Sequence, residues 1–336
     1  MIRATKGEIE RVERNYWKRK GWEILYDWRL YVMLIPLFFF LICWKYLPIA
    51  SMVMSFKDYN GNYGVYQSNW VGLYWFDTLM FRGVSISGTS FWMAFRNTFV
   101  LSFYGLVFGF PFPIILALLF SEIKCRPYRA VVQVLTYLPK FVSTVVVSSL
   151  VILLLRPANA DNNISAGPLA SVLDSLFGIK DNIMSDPHYF RSVYQISGIW
   201  ETAGYGSIVY FAAILGISPT NYEAARMDGA SKMQQIRYVT IPGMTTTLVI
   251  MLILEIGKLL TIGYEKVILL EGGNSPKTSL FVNSETISSW VWHLKKLGSI
   301  NDSVGAAADM FNSVISMLLV IGSNQIAKKV SSTSLY

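Results

Sequence analysis

Six segments of mostly apolar residues, at 31–56, 95–120, 129–155, 193–216, 244–270 and 305–327, set the terms on which this chain can fold. Each is long enough to cross the hydrocarbon core of a bilayer as a helix, which takes about 20 residues. Inside lipid the backbone has to satisfy its own hydrogen bonds, so such runs predict spanning helices. The expectation is an all-α polytopic membrane protein with six transmembrane helices. Charged residues are only 15% of the chain, against ~25% in ordinary soluble domains. The first segment begins after a charged stretch, too far in and too long for a cleaved signal peptide, and is expected to be retained.

The distribution of basic residues orients the set. Residues 1–30 carry eight Lys or Arg, including Lys18-Arg19-Lys20. The loop after the second segment has Lys124, Arg126 and Arg129; the loop after the fourth has Arg226, Lys232 and Arg237; the tail has Lys328 and Lys329. The alternate loops at 57–94, 156–192 and 271–304 are poorer in basic residues or balance them with acidic ones. Both termini therefore read as cytoplasmic. Residues 1–30 form a basic N-terminal segment, 31–327 the six-helix domain, and 328–336 the tail. The stretch 10–30, with Trp17, Trp22 and Trp28, reads either as an inner-surface helix or as a solvated leader with aromatic anchors.

The net charge of +8 is thus a topology signal, and no folded polar domain offers a basic face for nucleic acid. Cys43 lies in a span and Cys125 in a cytoplasmic loop, so no disulfide is expected. His188 and His293 fall in outer loops without a Cys, His or carboxylate at metal-ligand spacing, so no metal or cofactor is expected. There is no phosphate loop, and Gly257-Lys258 is followed by Leu259 inside an apolar run. No nucleophile elbow is present either. The chain does not read as an enzyme; if ATP drives it, another subunit hydrolyses it.

Charges within the spans stand out. Each costs about 2.5–3.5 kcal/mol at a helix centre on insertion scales, so it faces a cavity or a partner. Lys45 sits near Pro48 and reads as snorkelling. Glu265 and Lys266 sit close to the outer end of the fifth span, where water is in reach. Glu255 and Lys258 lie near mid-span, one turn apart on one face. They read either as a self-neutralising ion pair or as a polar patch on a pathway. Pro111 and Pro113 predict a kink in the second span.

The polar island at 220–243 reads as two abutting short helices on a cytoplasmic loop. Thr220 is the expected N-cap of the first, with Glu223 closing a capping box. Gly229 suits the left-handed residue that ends it. Ser231 and Gln234 repeat the capping box, and Pro242 falls where the second helix must stop or turn. A connection needs only a few residues, so a doubly capped unit points to docking.

Glu223-Ala224-Ala225, three residues, Gly229, nine residues, then Val239-Thr-Ile-Pro242 resembles the EAA loop of bacterial ABC importer permeases, with two conservative departures in the last apolar positions. Phe56-Lys-Asp-Tyr-Asn60, Trp70-Val-Gly-Leu73, Phe108-Gly-Phe-Pro-Phe-Pro-Ile114, Tyr137-Leu-Pro139, Ser185-Asp-Pro187 and Ser334-Leu-Tyr336 extend the likeness over nearly the whole chain. They resemble the LplB-like, complex-sugar subgroup of the maltose-type family, without the large periplasmic insertion of the enteric maltose permease.

The resemblance implies the type I importer permease fold in a bacterial cell membrane. It also implies a second permease, two cytoplasmic ATP-binding subunits, an extracytoplasmic solute-binding lipoprotein, and an oligosaccharide substrate. In that family the loop docks in the ATPase, here through Glu223, Ala224, Ala225, Asp228, Gly229, Ala230 and Pro242. Counting from the loop to the family's sugar-contacting positions implies Gly198, Trp200, Glu201, Thr202 and Tyr205 on the fourth span. On the fifth it implies Glu255, Lys258, Leu259 and Ile262. Most of these residue types depart from the maltose pattern, so the position carries over and maltose does not; Lys258 would suit an acidic sugar. The rival reading is a secondary transporter or channel relaying ions through Lys45, Glu255 and Lys258. It leaves the loop unexplained and predicts internal repeats, which the sequence lacks.

Overall fold

The computed structural model describes residue 20 and residues 26–59, 64–82, 85–86, 88–158, 165–179, 182–273, 278–296 and 302–330. Trp17, Trp22, the run Lys18-Arg19 and the closing Ser334-Leu-Tyr336 lie outside them. Among the described residues the fold is helical apart from two antiparallel two-residue ribbons, which pair Lys57 with Trp70 and Ser85 with Ser90.

Three helical rods are long and apolar enough to span by themselves: Trp28–Phe56, Phe91–Glu122 and Asp302–Lys328. The first contains α1 (Trp28–Leu41), which buries no residue within the chain. The second joins α2 (Phe91–Tyr104) to α3 (Pro111–Glu122). Pro111 and Pro113 do not break it, because a π turn at Gly105–Gly109 comes just before. A proline offers no N–H, and its ring crowds the carbonyl one turn back; a wide turn moves that carbonyl away. The same arrangement recurs elsewhere. The π turn Ile42–Tyr46 ends two residues before Pro48, and Ile236–Thr240 two residues before Pro242.

The other three predicted spans are bent. Residues 129–155 are not one helix: α4 (Arg126–Tyr137) and a 3₁₀ turn at Leu138–Phe141 meet α5 (Thr144–Leu155) at 99°. Val142 is extended at the corner, and Ser143 restarts the chain by accepting the Val145 N–H at 3.2 Å. A separate helix, α6 (Pro168–Phe177), packs on α5. The fourth span, α7 (Pro187–Leu215), starts six residues earlier than expected, where Asp186 accepts the His188 N–H. It bends 70° into α8 (Pro219–Met227).

The short helix α9 (Lys232–Gln235) runs on through the π turn to Gly243 and bends 66° into α10 (Thr245–Gly257). The predicted fifth span 244–270 is therefore interrupted. The helix stops at Gly257, and α11 (Tyr264–Glu271) begins only after Gly263. After α12 (Ile287–Lys296), the last rod is α13 (Asp302–Val330). Counting each bent pair as one span gives six.

Tertiary order comes from close helix crossings and three buried clusters. Leu79, Phe91, Ile287 and Trp290 join α2 to α12 and α13. Leu101, Leu155, Phe190 and Val267 tie α2, α5, α7 and α11. Ala117, Tyr210 and Met244 lock α3 against α7 beneath the start of α10. Where α7 passes α4 the fit is tight: a Cβ on Gly204 would lie 2.0 Å from the Thr136 carbonyl oxygen. Only glycine allows that approach.

Candidate functional site

The break in the fifth span opens one side of a cavity of about 520 Å³ between α2, α3, α7 and α10. Helix α7 presents Gly198, Glu201 and Thr202 to it; the end of α10 and the loop beyond present Glu255, Lys258, Leu259 and Ile262. Gly198 lies one α-helical turn before the adjacent Glu201 and Thr202, so one face of α7 meets the space. Trp200 and Tyr205 fall off that stripe and do not line the cavity. Trp200 is half exposed, and Tyr205 packs edge-on against Phe141 at 5.9 Å.

Two ion pairs mark the lining. Lys258 Nζ lies 2.8 Å from Glu255 Oε1, with side chains 64% and 38% exposed. The pair forms across the C-terminus of α10, at the break and not in mid-helix. An exposed pair of this kind contributes little to stability, and both groups stay available to a ligand.

The second pair lies deeper. Lys266 Nζ reaches Glu201 Oε2 at 3.2 Å, and both side chains are about a tenth exposed. Lys140 approaches the other carboxylate oxygen at 4.0 Å. Lys266 also sits 5.4 Å from the Tyr194 ring centroid. Its expected escape to outer water is therefore corrected: the loop 258–263 turns α11 so that Lys266 points inward. The sequence signal was there in the desolvation cost of a lysine inside an apolar run; its partner, 65 residues away, was not visible. Lys45 is exposed on the first rod and outside the cavity, so the described residues hold no relay joining it to Glu255 and Lys258.

The polar loop folds as two helices meeting at Gly229. Gly229 has φ +78° with open space around it. The Ala230 N–H bonds to the Ala225 carbonyl at 2.9 Å and the Gly229 N–H to that of Arg226 at 3.0 Å. Together these make a Schellman C-cap. The second helix has its expected capping box between Ser231 and Gln234. The first does not. Pro219 takes the first helical position, so Ser218 becomes the N-cap, and Thr220 hydrogen-bonds only the Ser218 hydroxyl. Proline suits that position because its N–H would be unpaired anyway.

Pro242 does not end the second helix; the bend comes at Met244. Lys232–Glu122 at 2.7 Å ties the unit to the end of α3, and Tyr222–Thr240 at 3.1 Å joins its two helical parts. Glu223, Ala224, Asp228, Gly229 and Pro242 are exposed, while Ala225 and Ala230 are half-buried. Met227, Met233 and Tyr238 are also largely exposed. These apolar tips are part of the same surface, and the sequence reading did not single them out.

A further polar cluster escaped that reading as well: Glu271, Glu285 and His293 come together beyond the fifth span. Their separations of 14 and 8 residues match no ligand motif. Only the tertiary fold joins them.

The comparisons with known proteins agree with this architecture. The family described as binding-protein-dependent transport system inner membrane component matches residues 109–264, from the π turn through the loop to α11. Protein LplB of Bacillus subtilis is 32% identical, covering 91% of each chain. The polygalacturonan/rhamnogalacturonan transport system permease YteP of the same organism is also 32% identical, over 91% of this chain and 90% of its own. A solved bacterial ABC transporter involved in import of the acidic polysaccharide alginate superposes with a TM-score of 0.78. It is 34% identical, and the match covers 93% of this chain and 99% of that one. This chain is a multi-pass membrane permease and belongs to the inner-membrane component family of binding-protein-dependent transport systems.

Proposed function

We propose that this chain, with a second permease of its family, encloses the pathway by which an acidic oligosaccharide enters the cell. One observation carries the reading: two lysine–carboxylate pairs, Lys266–Glu201 and Lys258–Glu255, line a single cavity beside the interrupted fifth span. A lysine held by a carboxylate exchanges that partner for a substrate uronate through a charge-assisted hydrogen bond. The carboxylate left behind accepts sugar hydroxyls. Thr202, Leu259 and Ile262 complete the lining. The names of the polygalacturonan and alginate transporters support the substrate class.

An extracytoplasmic binding protein delivers the sugar, and two ATP-binding subunits hydrolyse the nucleotide. The exposed face around Glu223, Asp228 and Gly229, with Met227 and Met233 at its tips, docks one of them. The rod Trp28–Phe56 packs against lipid or the second permease, since it buries so little within its own chain.

The test is ATPase stimulation of the assembled complex by binding protein loaded with an oligouronate. Lys258→Met and Lys266→Met should lower stimulation by the acidic sugar about tenfold, one lost charged contact being worth roughly 1.5 kcal/mol. Stimulation unchanged in both variants would overturn the assignment.

A further inference from the structure

Beyond the fifth span, three buried groups converge where an apolar protein interior would not choose them. Glu271 closes α11, Glu285 follows the short helix Phe281–Ser284, and His293 lies on α12. Glu271 and Glu285 are fully buried and His293 is 3% exposed. One ligand atom from each lies within 4.8 Å of the others. Among the described residues, the ion pairs of both carboxylates run only to His293. Among the described residues, Glu271 Oε2, Glu285 Oε2 and His293 Nε2 find no hydrogen-bond partner within reach. Three orphaned buried polar atoms facing one another are costly unless something joins them.

The geometry points to a divalent-cation site between Glu271 Oε2 and His293 Nε2, with Glu285 holding the imidazole from its other edge. His293 Nε2 and Glu271 Oε2 are 3.8 Å apart. A cation at about 2.0–2.2 Å from each atom bridges that gap. The surrounding contacts are those that orient metal ligands. The other ring nitrogen, Nδ1, lies 2.9 Å from Glu285 Oε1, so Nδ1 donates there and leaves Nε2 with its lone pair free. Ser284 Oγ donates to Glu271 Oε1 at 2.5 Å, fixing the carboxylate so that Oε2 faces the site. Phe281 lies tilted against the imidazole at 4.7 Å and Trp292 meets it edge-on at 5.0 Å.

A carboxylate and an imidazole form a borderline donor set. It suits zinc or manganese and disfavours calcium, which takes oxygen ligands alone. The site would staple the outer loop 281–296 to the end of α11, five residues from Lys266. That makes it a structural ion and not a transported one.

The measurement is metal content of the full chain, purified in detergent with its partner subunits, without a polyhistidine tag and after equilibration with zinc. The expected result is about one zinc per chain, with N/O ligands near 2.0–2.2 Å by X-ray absorption. Chelation should lower the thermal midpoint by several degrees, and zinc should restore it. His293→Gln and Glu271→Gln should each cut the zinc content at least tenfold. Wild-type protein that binds no zinc, or whose absorption edge shows sulfur ligation from Cys43 or Cys125, overturns the site. So does zinc content unchanged in both variants. The wild-type measurement decides even if the variants do not fold.

Discussion

Lys266 and Glu201 stand 65 residues apart in sequence, yet their charged ends meet at 3.2 Å, nearly out of reach of solvent. The pair ties α11, just beyond the break in the fifth span, to the middle of α7. Removing Glu201 leaves Lys266 buried without a carboxylate, which costs about 3–5 kcal/mol; removing Lys266 leaves Glu201 the more distant Lys140 at 4.0 Å and costs less. Lys266→Met and Glu201→Gln are each expected to lower the thermal midpoint in detergent and reduce uptake. The double variant should recover stability and not uptake. Recovery of both would make the pair purely structural.

The exposed pair Glu255–Lys258 should behave differently. Its contribution to stability is expected to be under about 1 kcal/mol, so both single variants should fold normally and fail only in transport. Lys258→Cys should react with a small polar thiol reagent, and substrate should slow the reaction. Lack of reactivity in every nucleotide state would remove Lys258 from the pathway. So would full rescue of transport by Glu255→Gln combined with Lys258→Met.

At the loop, Gly229→Val is expected to misplace α9, because a β-branched residue resists the +78° φ observed there. Space is not the obstacle, since nothing lies within 4 Å of a Cβ at that position. Glu223→Ala removes an exposed carboxylate that makes no cap within its own helix. Both should reduce substrate-stimulated ATPase activity and leave membrane insertion intact. Normal stimulation in both, with the ATPase present, would contradict docking through this face.

Gly204 gives a packing test. A Cβ 2.0 Å from the Thr136 carbonyl oxygen forces α7 and α4 apart. Gly204→Val should destabilise by more than about 3 kcal/mol, in the range of severe overpacking. Gly263→Ala, where nothing lies within 4 Å, should be near neutral. Thermal unfolding of the two variants makes the comparison.

The apolar runs, the left-handed Gly229 and the Ser231–Gln234 box were legible because each depends on neighbours a few residues away. The same local logic failed at 142–143 and 258–263. Hydropathy stays high across both stretches, while the chain turns there for tertiary reasons. The π turn before Pro111 was not legible, because it leaves no mark in a hydropathy pattern. Of the positions counted from the loop, Glu201 and Glu255 line the cavity, while Trp200 and Tyr205 lie off it. The Lys266–Glu201 and Glu271–Glu285–His293 groupings join residues from separate helices, which no single-sequence periodicity encodes.

Uptake by the reconstituted complex tests the central claim most directly. Proteoliposomes holding both permeases and the ATP-binding subunits would be given binding protein with an oligouronate or with its carboxyl-reduced, neutral counterpart. The account predicts ATP-dependent accumulation of the acidic sugar, at least about tenfold faster than of the neutral one, consistent with about 1.4 kcal/mol per tenfold. It also predicts that Lys258→Met and Lys266→Met narrow the difference. Accumulation driven by an ion gradient without ATP, or equal rates for the two sugars, would contradict it.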